Sequence, residues 1–439
     1  MDSPGNSHTK AARLAGSPVE ADLVITGASE LLVCPMHGCG LEPVVDGAIA
    51  AKDGRIVWVG PSDRLADRVS LVAGATVVEA GGHVVMPGLV ECHTHLVFAG
   101  DRSAEFQARI AGASYQEVAL AGGGIAGTVR ATRAASDEEL CAAALGRLDR
   151  LLAFGVTTVE AKSGYGLSVE QELRALGLYA QLDAIHPIDL VPTLLGAHAV
   201  PEEYRGRAQD FVDLVATEII PAAAERGIAR FCDAFCEEGA FTVGQCRTIL
   251  AAGTQHGLRP KLHADQLSDG GGGALAAEMG AVSADHLDFV SDTGIAALAR
   301  AGVTAVLLPG AAFFLGAGRS APARKLLDSG VHVALSTDLN PGSSPTENLW
   351  LMATMGCCTL RMTVVEAIRA VTCEAARALA LEGEVGSLEM GKKADILILE
   401  NRSHAEILYH YGVNPVARVF KSGKCVWSRE PNSKEQPCG

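Results

Sequence analysis

The chain contains no run of eighteen apolar residues, so no segment of its 439 residues reads as a membrane-spanning helix. Residues 1–18 also lack an apolar core followed by a small-residue cleavage site, and a cytoplasmic protein is therefore expected. Basic residues are in deficit. The 36 Lys and Arg against 51 Asp and Glu give a formal net charge of -15, with no strong Lys/Arg cluster, which argues against nucleic acid and membrane partners. None of the twelve cysteines lies in a CxxC pair, so we expect reduced thiols that pack as small hydrophobes. Cys232 and Cys236 are four apart and could face one another if helical, offering soft metal ligands, but no matching His or Cys pair accompanies them, and core packing is the expected role. The glycine run at 121–127 lacks the GK[ST] ending of a phosphate loop and reads as a flexible loop or lid; the glycines at 270–273 read the same way.

What is present is the composition of an enzyme with many turns: 48% hydrophobic, 20% charged and 49 glycines. The length suits one large α/β barrel with a small appended domain. Short β-branched runs broken by Gly, Asp and Pro fill residues 21–85 and return at 394–399 and 415–427, where Ser422 and Gly423 supply a hairpin turn. Both chain ends are thus expected to build a small β-sandwich domain, 21–85 plus 386–427, with flexible segments at 1–20 and 428–439.

Residues 86–385 alternate apolar runs with segments of helical period, which predicts repeated βα units. Eight strands are expected at 84–95, 156–162, 189–198, 229–235, 261–265, 281–287, 303–308 and 331–338. The predicted class is α/β, a (β/α)8 TIM-like barrel with its chemistry at the strand C-termini. Polar residues gather at those ends. His93 and His95 end the first strand, Lys162 the second, His198 the third, Asp233 the fourth, His263 the fifth, His286 the sixth and Asp338 the eighth.

Residues i and i+2 of a strand share a face, so His93 and His95 project together while Thr94 points away. An HxH pair alone says little. With His263 and Asp338 it becomes three imidazoles and a carboxylate, a set that suits Zn²⁺ or Fe²⁺ and leaves room for water. His198 and His286 are placed to contact substrate or water, and the remaining histidines read as structural or solvated. Ser344 to Glu347 reads as a helix start with Pro345 at its first position and a capping box.

The segment PGLVECHTH at 87–95 resembles the first-strand signature of the amidohydrolase superfamily. The chain is more closely similar to the imidazolonepropionase family, through HLVFAGDR at 95–102, GASY at 112–115, AGGGI at 121–125, TVRATR at 128–133, KSGYG at 162–166, GAHAVP at 196–201, HADQ at 263–266 and DLNPG at 338–342. The resemblance implies hydrolysis of the ring carbon-nitrogen bond of 4-imidazolone-5-propanoate to N-formimidoyl-L-glutamate in histidine degradation. It implies one divalent metal ion, Zn or Fe, on His93, His95, His263 and Asp338, and a homodimer. It also implies substrate contacts from Arg102, Tyr115, Tyr165, His198, Gln266, Asn340, Gly342 and Ser343. A propionate arm needs a fixed cation, and the fork of a guanidinium such as Arg102 matches a carboxylate.

Two departures narrow the picture. Lys162, the only strand-end lysine, lies on the second strand and not on the fourth, where relatives with two metals carry a carboxylated lysine; one metal is expected. Gln266 stands where the family carries Glu or Gln, and its amide can hydrogen bond but not shuttle a proton. Asp338 is the expected base, with His286 orienting the water. Two other readings are a hydrolase or deaminase of another cyclic amide, for which Arg102 and Tyr165 would be dispensable, and a silent scaffold barrel, which would not need the complete ligand set.

Overall fold

A computed structural model of the chain describes residues 17–112 and 123–429. Eight parallel strands follow one another in chain order: Leu89–Glu91, Val156–Lys162, Asp189–Ala197, Phe231–Cys236, Leu262–Ala264, Ser283–His286, Thr304–Leu307 and Val333–Leu335. They are numbered here as barrel strands one to eight. Parallel pairing requires a crossover after each strand, and helices provide it, among them Asp137–Ala153, Val169–Ile185 and Val243–Gln255. Helix starts are written locally. Ser136 with Glu139, Thr242 with Gln245 and Thr363 with Glu366 each form a reciprocal capping box. The helices cover the strands so fully that every residue of barrel strand two is buried. This is the expected TIM-like barrel.

Strands one and eight share no regular ladder. Closure is made beyond their ends, where Thr94 bridges Leu339 and the His95 amide donates to the Leu339 carbonyl at 2.9 Å. The Glu91 side chain completes the seam. Both of its oxygens lie 3.2 Å from the Thr337 amide, the His93 amide donates to it at 3.3 Å, and the Ser336 hydroxyl donates as well. Burial pushes this carboxyl up to about 8, against the pull of the Thr337 and His93 donors.

The chain ends form a second, mixed sheet ordered Lys424–Ser428, Val416–Lys421, Ile396–Leu399, Val85–Pro87, Val19–Leu32, Pro43–Lys52 and Arg55–Pro61, with Val69–Glu79 also paired to Val19–Leu32. Leu23, Ile25, Leu31, Ile49, Ile56, Val85, Ile396 and Phe420 make its apolar core. The expected first strand at 84–95 is therefore two strands in two sheets. Val85–Pro87 pairs with Ile396–Leu399, and Leu89–Glu91 pairs with barrel strand two. The switch falls at Gly88, where a Cβ would lie 2.3 Å from Thr157 Oγ1, so only glycine fits.

Cys232 and Cys236 lie on barrel strand four, the strand expected at 229–235, and are buried free thiols; the other described cysteines are free as well. Two local expectations are corrected. The glycines at 270–273 are not a loose loop. The Asp265 carboxylate accepts from the amides of Gly270, Gly272 and Gly273 at 3.1, 2.8 and 2.8 Å and fixes the start of helix Gly272–Glu278. The helix expected at Ser344 begins at Leu349 and is capped by Asn348, because the Ser344 hydroxyl donates to the Thr337 carbonyl and Glu347 pairs with Arg150. No helix among the described residues is long and apolar enough to cross a membrane.

The seam leads to a stability prediction. Glu91→Ala leaves the buried Thr337 amide unpaired and should destabilise the protein by about 2–4 kcal/mol in urea denaturation, whereas Glu91→Gln, which keeps an acceptor, should cost clearly less. Equal loss in the two variants would contradict the role given to Glu91.

Candidate active site

Strand alternation sends one set of side chains into the barrel interior. Glu160 and Lys162 share a parity on strand two, and Lys261 and His263 share one around strand five. Asp233 enters from strand four and Asp285 from strand six, and all six are buried. His93 and His95 lie just past strand one, beside Glu91 in the same alternation.

The histidines converge. One ring nitrogen from each of His93, His95 and His263 lies within 4.8 Å of the others, and His93, His286 and Asp338 satisfy the same limit. Asp338 Oδ1 is 3.5 Å from His93 Nε2 and 3.6 Å from His95 Nε2. Behind the rings, His93 Nδ1 is 2.6 Å from Asp285 Oδ2 and His263 Nδ1 is 3.0 Å from Asp233 Oδ2. Asp285 accepts a hydrogen bond from Nδ1–H of His93, which leaves the Nε2 lone pair of that ring facing the cluster, while Asp233 stands within ion-pair range of His263. His93 Nε2 and His263 Nε2 have no hydrogen-bond partner among the described residues, although they are buried. Burial, reinforced by neighbouring positive charge, holds His93, His95 and His286 well below the usual imidazole value, so they are neutral donors of lone pairs.

Charge balance points the same way. The ammonium of Lys162 lies 2.8 Å from Asp233, 3.1 Å from Glu160 and 3.3 Å from Asp285, and Lys261 lies 2.8 Å from Glu160. With Asp338, four buried carboxylates face two ammonium groups. That deficit and the unpartnered imidazole nitrogens fit a divalent cation.

The substrate side is built on short loops. The His198 ring stacks on His95 with centroids 4.8 Å apart, and its Nδ1 is 3.1 Å from the Gly164 carbonyl, which fixes the proton at Nδ1. Burial pushes His198 down to about 3. The buried Tyr165 ring lies 5.6 Å from His95 and 5.3 Å from His198. Its loop is held by Glu172, whose carboxylate accepts from the amides of Gly164, Gly166 and Leu167 at 3.2, 3.0 and 2.7 Å. Asp338 and His286 adopt φ of 54° and 76°, a strained region for residues with side chains.

Asn340 shapes the turn after Asp338: its Oδ1 accepts from the Gly342 and Ser343 amides at 2.8 Å each, and its Nδ2 donates to the Asp338 carbonyl and to Ser343 Oγ. Ser343 Oγ donates in turn to Asp338 Oδ2 at 3.2 Å. The Arg102 guanidinium is paired with Glu105, 2.8 Å from Nε, and packs against Gly342, where a Cβ would be 1.9 Å from Nη1. Gln266 is half-buried three residues beyond His263, next to a Leu267 amide that donates to Glu237 at 2.8 Å. Tyr115 lies outside the described residues.

Asp233 does not end its strand as expected. It sits mid-strand, because its carboxylate serves Lys162 and the His263 ring from below. His286, expected to act on water, is brought within 4.8 Å of a ring nitrogen of His93 and an oxygen of Asp338. The sequence reading missed Glu160, Lys261 and Asp285, and Glu105 and Glu172 as loop supports. The first three left a signal: charged residues inside otherwise apolar strand runs, at even spacing from a functional histidine or lysine.

The barrel and this centre define a metal-dependent hydrolase of the amidohydrolase class, and the Amidohydrolase family model matches residues 118–426. Curated relatives include the imidazolonepropionases of Geobacillus sp. (strain WCH70), 50% identical, and of Symbiobacterium thermophilum, 48% identical; each match covers 92% of this chain and 97% of the relative. The chain belongs to the imidazolonepropionase family. Among solved structures, a zinc-bound adenosine deaminase from Xanthomonas campestris superposes with a TM-score of 0.68 at 20% identity, over 93% of both chains. A 5-methylcytosine deaminase from Klebsiella pneumoniae gives 0.70 at 18% identity, over 94% of this chain and 99% of that one. These two share the fold.

Asp285→Asn removes the carboxylate behind His93. Metal affinity, measured by competition with a chromogenic chelator, should fall about 10–100-fold. Unchanged affinity would count against the tautomer assignment.

Proposed function

We infer that the chain hydrolyses the ring carbon-nitrogen bond of 4-imidazolone-5-propanoate, giving N-formimidoyl-L-glutamate in histidine degradation. The observation that carries this reading is identity of about half the residues to imidazolonepropionases along nine-tenths of the chain. The site's chemistry agrees with it. Zinc or iron(II), one ion per chain on His93, His95, His263 and Asp338, suits the set of imidazole and carboxylate donors. When bound, the ion supplies Lewis acidity, which makes water acidic near neutral pH and polarises a carbonyl.

The chain's own groups do the rest. Asp338 takes the proton of the attacking water; its Oδ1 lies 3.5 Å from His93 Nε2 and 3.6 Å from His95 Nε2, within reach of water held at that centre. The water oxygen bonds to the ring carbonyl carbon, the ring carbon-nitrogen bond breaks, and Asp338 returns the proton to the leaving nitrogen. His286 orients the water, and its Nδ1 is free of partners among the described residues. His198 carries its proton on Nδ1, so its Nε2 accepts from a ring N–H. Arg102 receives the propionate on the guanidinium edge that Glu105 leaves open, with Tyr165 and Gln266 bounding the ring. Tyr115 is proposed beside them from the resemblance alone. Asn340, Gly342 and Ser343 hold Asp338 and give Arg102 its seat.

Removal of the ion with a chelator should abolish disappearance of imidazolone propionate, and Zn²⁺ or Fe²⁺ should restore it, while hydantoin and guanine remain untouched; turnover of either control at a comparable rate would favour another cyclic amide. Asp338→Asn should lower kcat by about 10³-fold or more, and near-normal turnover with the ion bound would sink its role as base. Arg102→Lys should raise KM about tenfold with little change in kcat, the pattern of lost ground-state binding.

A further inference from the structure

The ammonium of Lys162 is surrounded as a metal ion would be. It lies 2.8 Å from Asp233 Oδ2, 3.1 Å from the Glu160 carboxylate and 3.3 Å from Asp285 Oδ2, and all four side chains are fully buried. The same two aspartate oxygens also face the imidazoles, Asp285 Oδ2 at 2.6 Å from His93 Nδ1 and Asp233 Oδ2 at 3.0 Å from His263 Nδ1. Each therefore bridges a ring of the metal site and this ammonium. Independently, His93, Glu160 and Asp285 form a ligand grouping of their own, with donor atoms within 4.8 Å of one another. A second cation position thus exists directly behind the first, and a covalently tethered cation fills it.

We propose that Lys162 stands in for a second divalent ion and is the residue that limits this site to one metal. The inference rests on the single-ion reading above. An ammonium neutralises one charge, donates hydrogen bonds to Asp233 at 2.8 Å and Glu160 at 3.1 Å, and pairs with Asp285 at 3.3 Å, which holds the carboxylates in place beside the rings. A divalent ion would draw the same oxygens to about 2.0–2.2 Å and would need the space that the lysine stem occupies. Lys261 is not equivalent. Its ammonium reaches Glu160 and the Cys92 carbonyl, so it neutralises the far end of the cluster.

The test is metal content of the purified, zinc-loaded full chain, by elemental analysis and by anomalous scattering from crystals. The wild-type chain should hold one ion in the barrel, even in tenfold excess of zinc. Lys162→Ala should hold two, the second among Glu160, Asp233 and Asp285, and its melting temperature should rise with added zinc more than that of the wild type. Lys162→Met fills the space without charge and should hold no second ion. A Lys162→Ala chain that is folded, binds one ion and takes up no second at millimolar zinc would overturn the proposal while leaving the single-ion reading intact. Two ions in the wild-type barrel would overturn both. Should Lys162→Ala fold only when zinc is present, that dependence supports the proposal; should it fail to fold with or without zinc, the proposal falls, since a free second ion would then not replace the lysine.

Discussion

The structure turns on how charge is held inside a barrel that excludes water. A carboxylate or ammonium alone at such depth is strongly unfavourable, and each is tolerated here because the others are present. Asp285 and Asp233 each meet a ring and the Lys162 ammonium through one oxygen; Glu160 spans two lysines. The outcome is directional as well as electrostatic. Because the Nδ1 proton of His93 is committed to Asp285, the Nε2 lone pair of that ring faces the cluster.

Above that layer, precision comes from backbone groups more than from long side chains. Glu172 gathers three amides to hold the Tyr165 loop, Asn340 closes the turn after Asp338, and Asp265 fixes the helix that follows His263's strand. Arg102 depends on the missing side chain of Gly342 for its seat, so a cation and a glycine 240 positions apart in the chain act as one unit. Asp338 and His286 accept unfavourable backbone angles, which such over-determined surroundings can sustain.

Much of this was legible in the sequence. The alternation of apolar runs and helical segments located all eight barrel strands, and polar residues at their ends marked the histidines and Asp338 that the fold brings together. What was not legible had physical causes. The run at 84–95 looks continuous because Gly88 does not interrupt its hydrophobicity, yet glycine there lets one run serve two sheets. Glu347 has the spacing of a capping box but is claimed by Arg150, a partner 197 positions away. Lys162 carried a hint of Glu160, two residues before it on the same strand, but none of Asp233 and Asp285, which arrive from strands four and six.

The division of the strand at Gly88 also bears on how the chain is made. Val85–Pro87 finds its antiparallel neighbour in Ile396–Leu399, more than three hundred residues later, and His93 follows six residues beyond Pro87. During synthesis the amino-terminal strand therefore cannot gain that neighbour until all eight barrel strands have been made. The chain's two ends act as a clasp, joined in one sheet while the barrel takes up the length of chain between them.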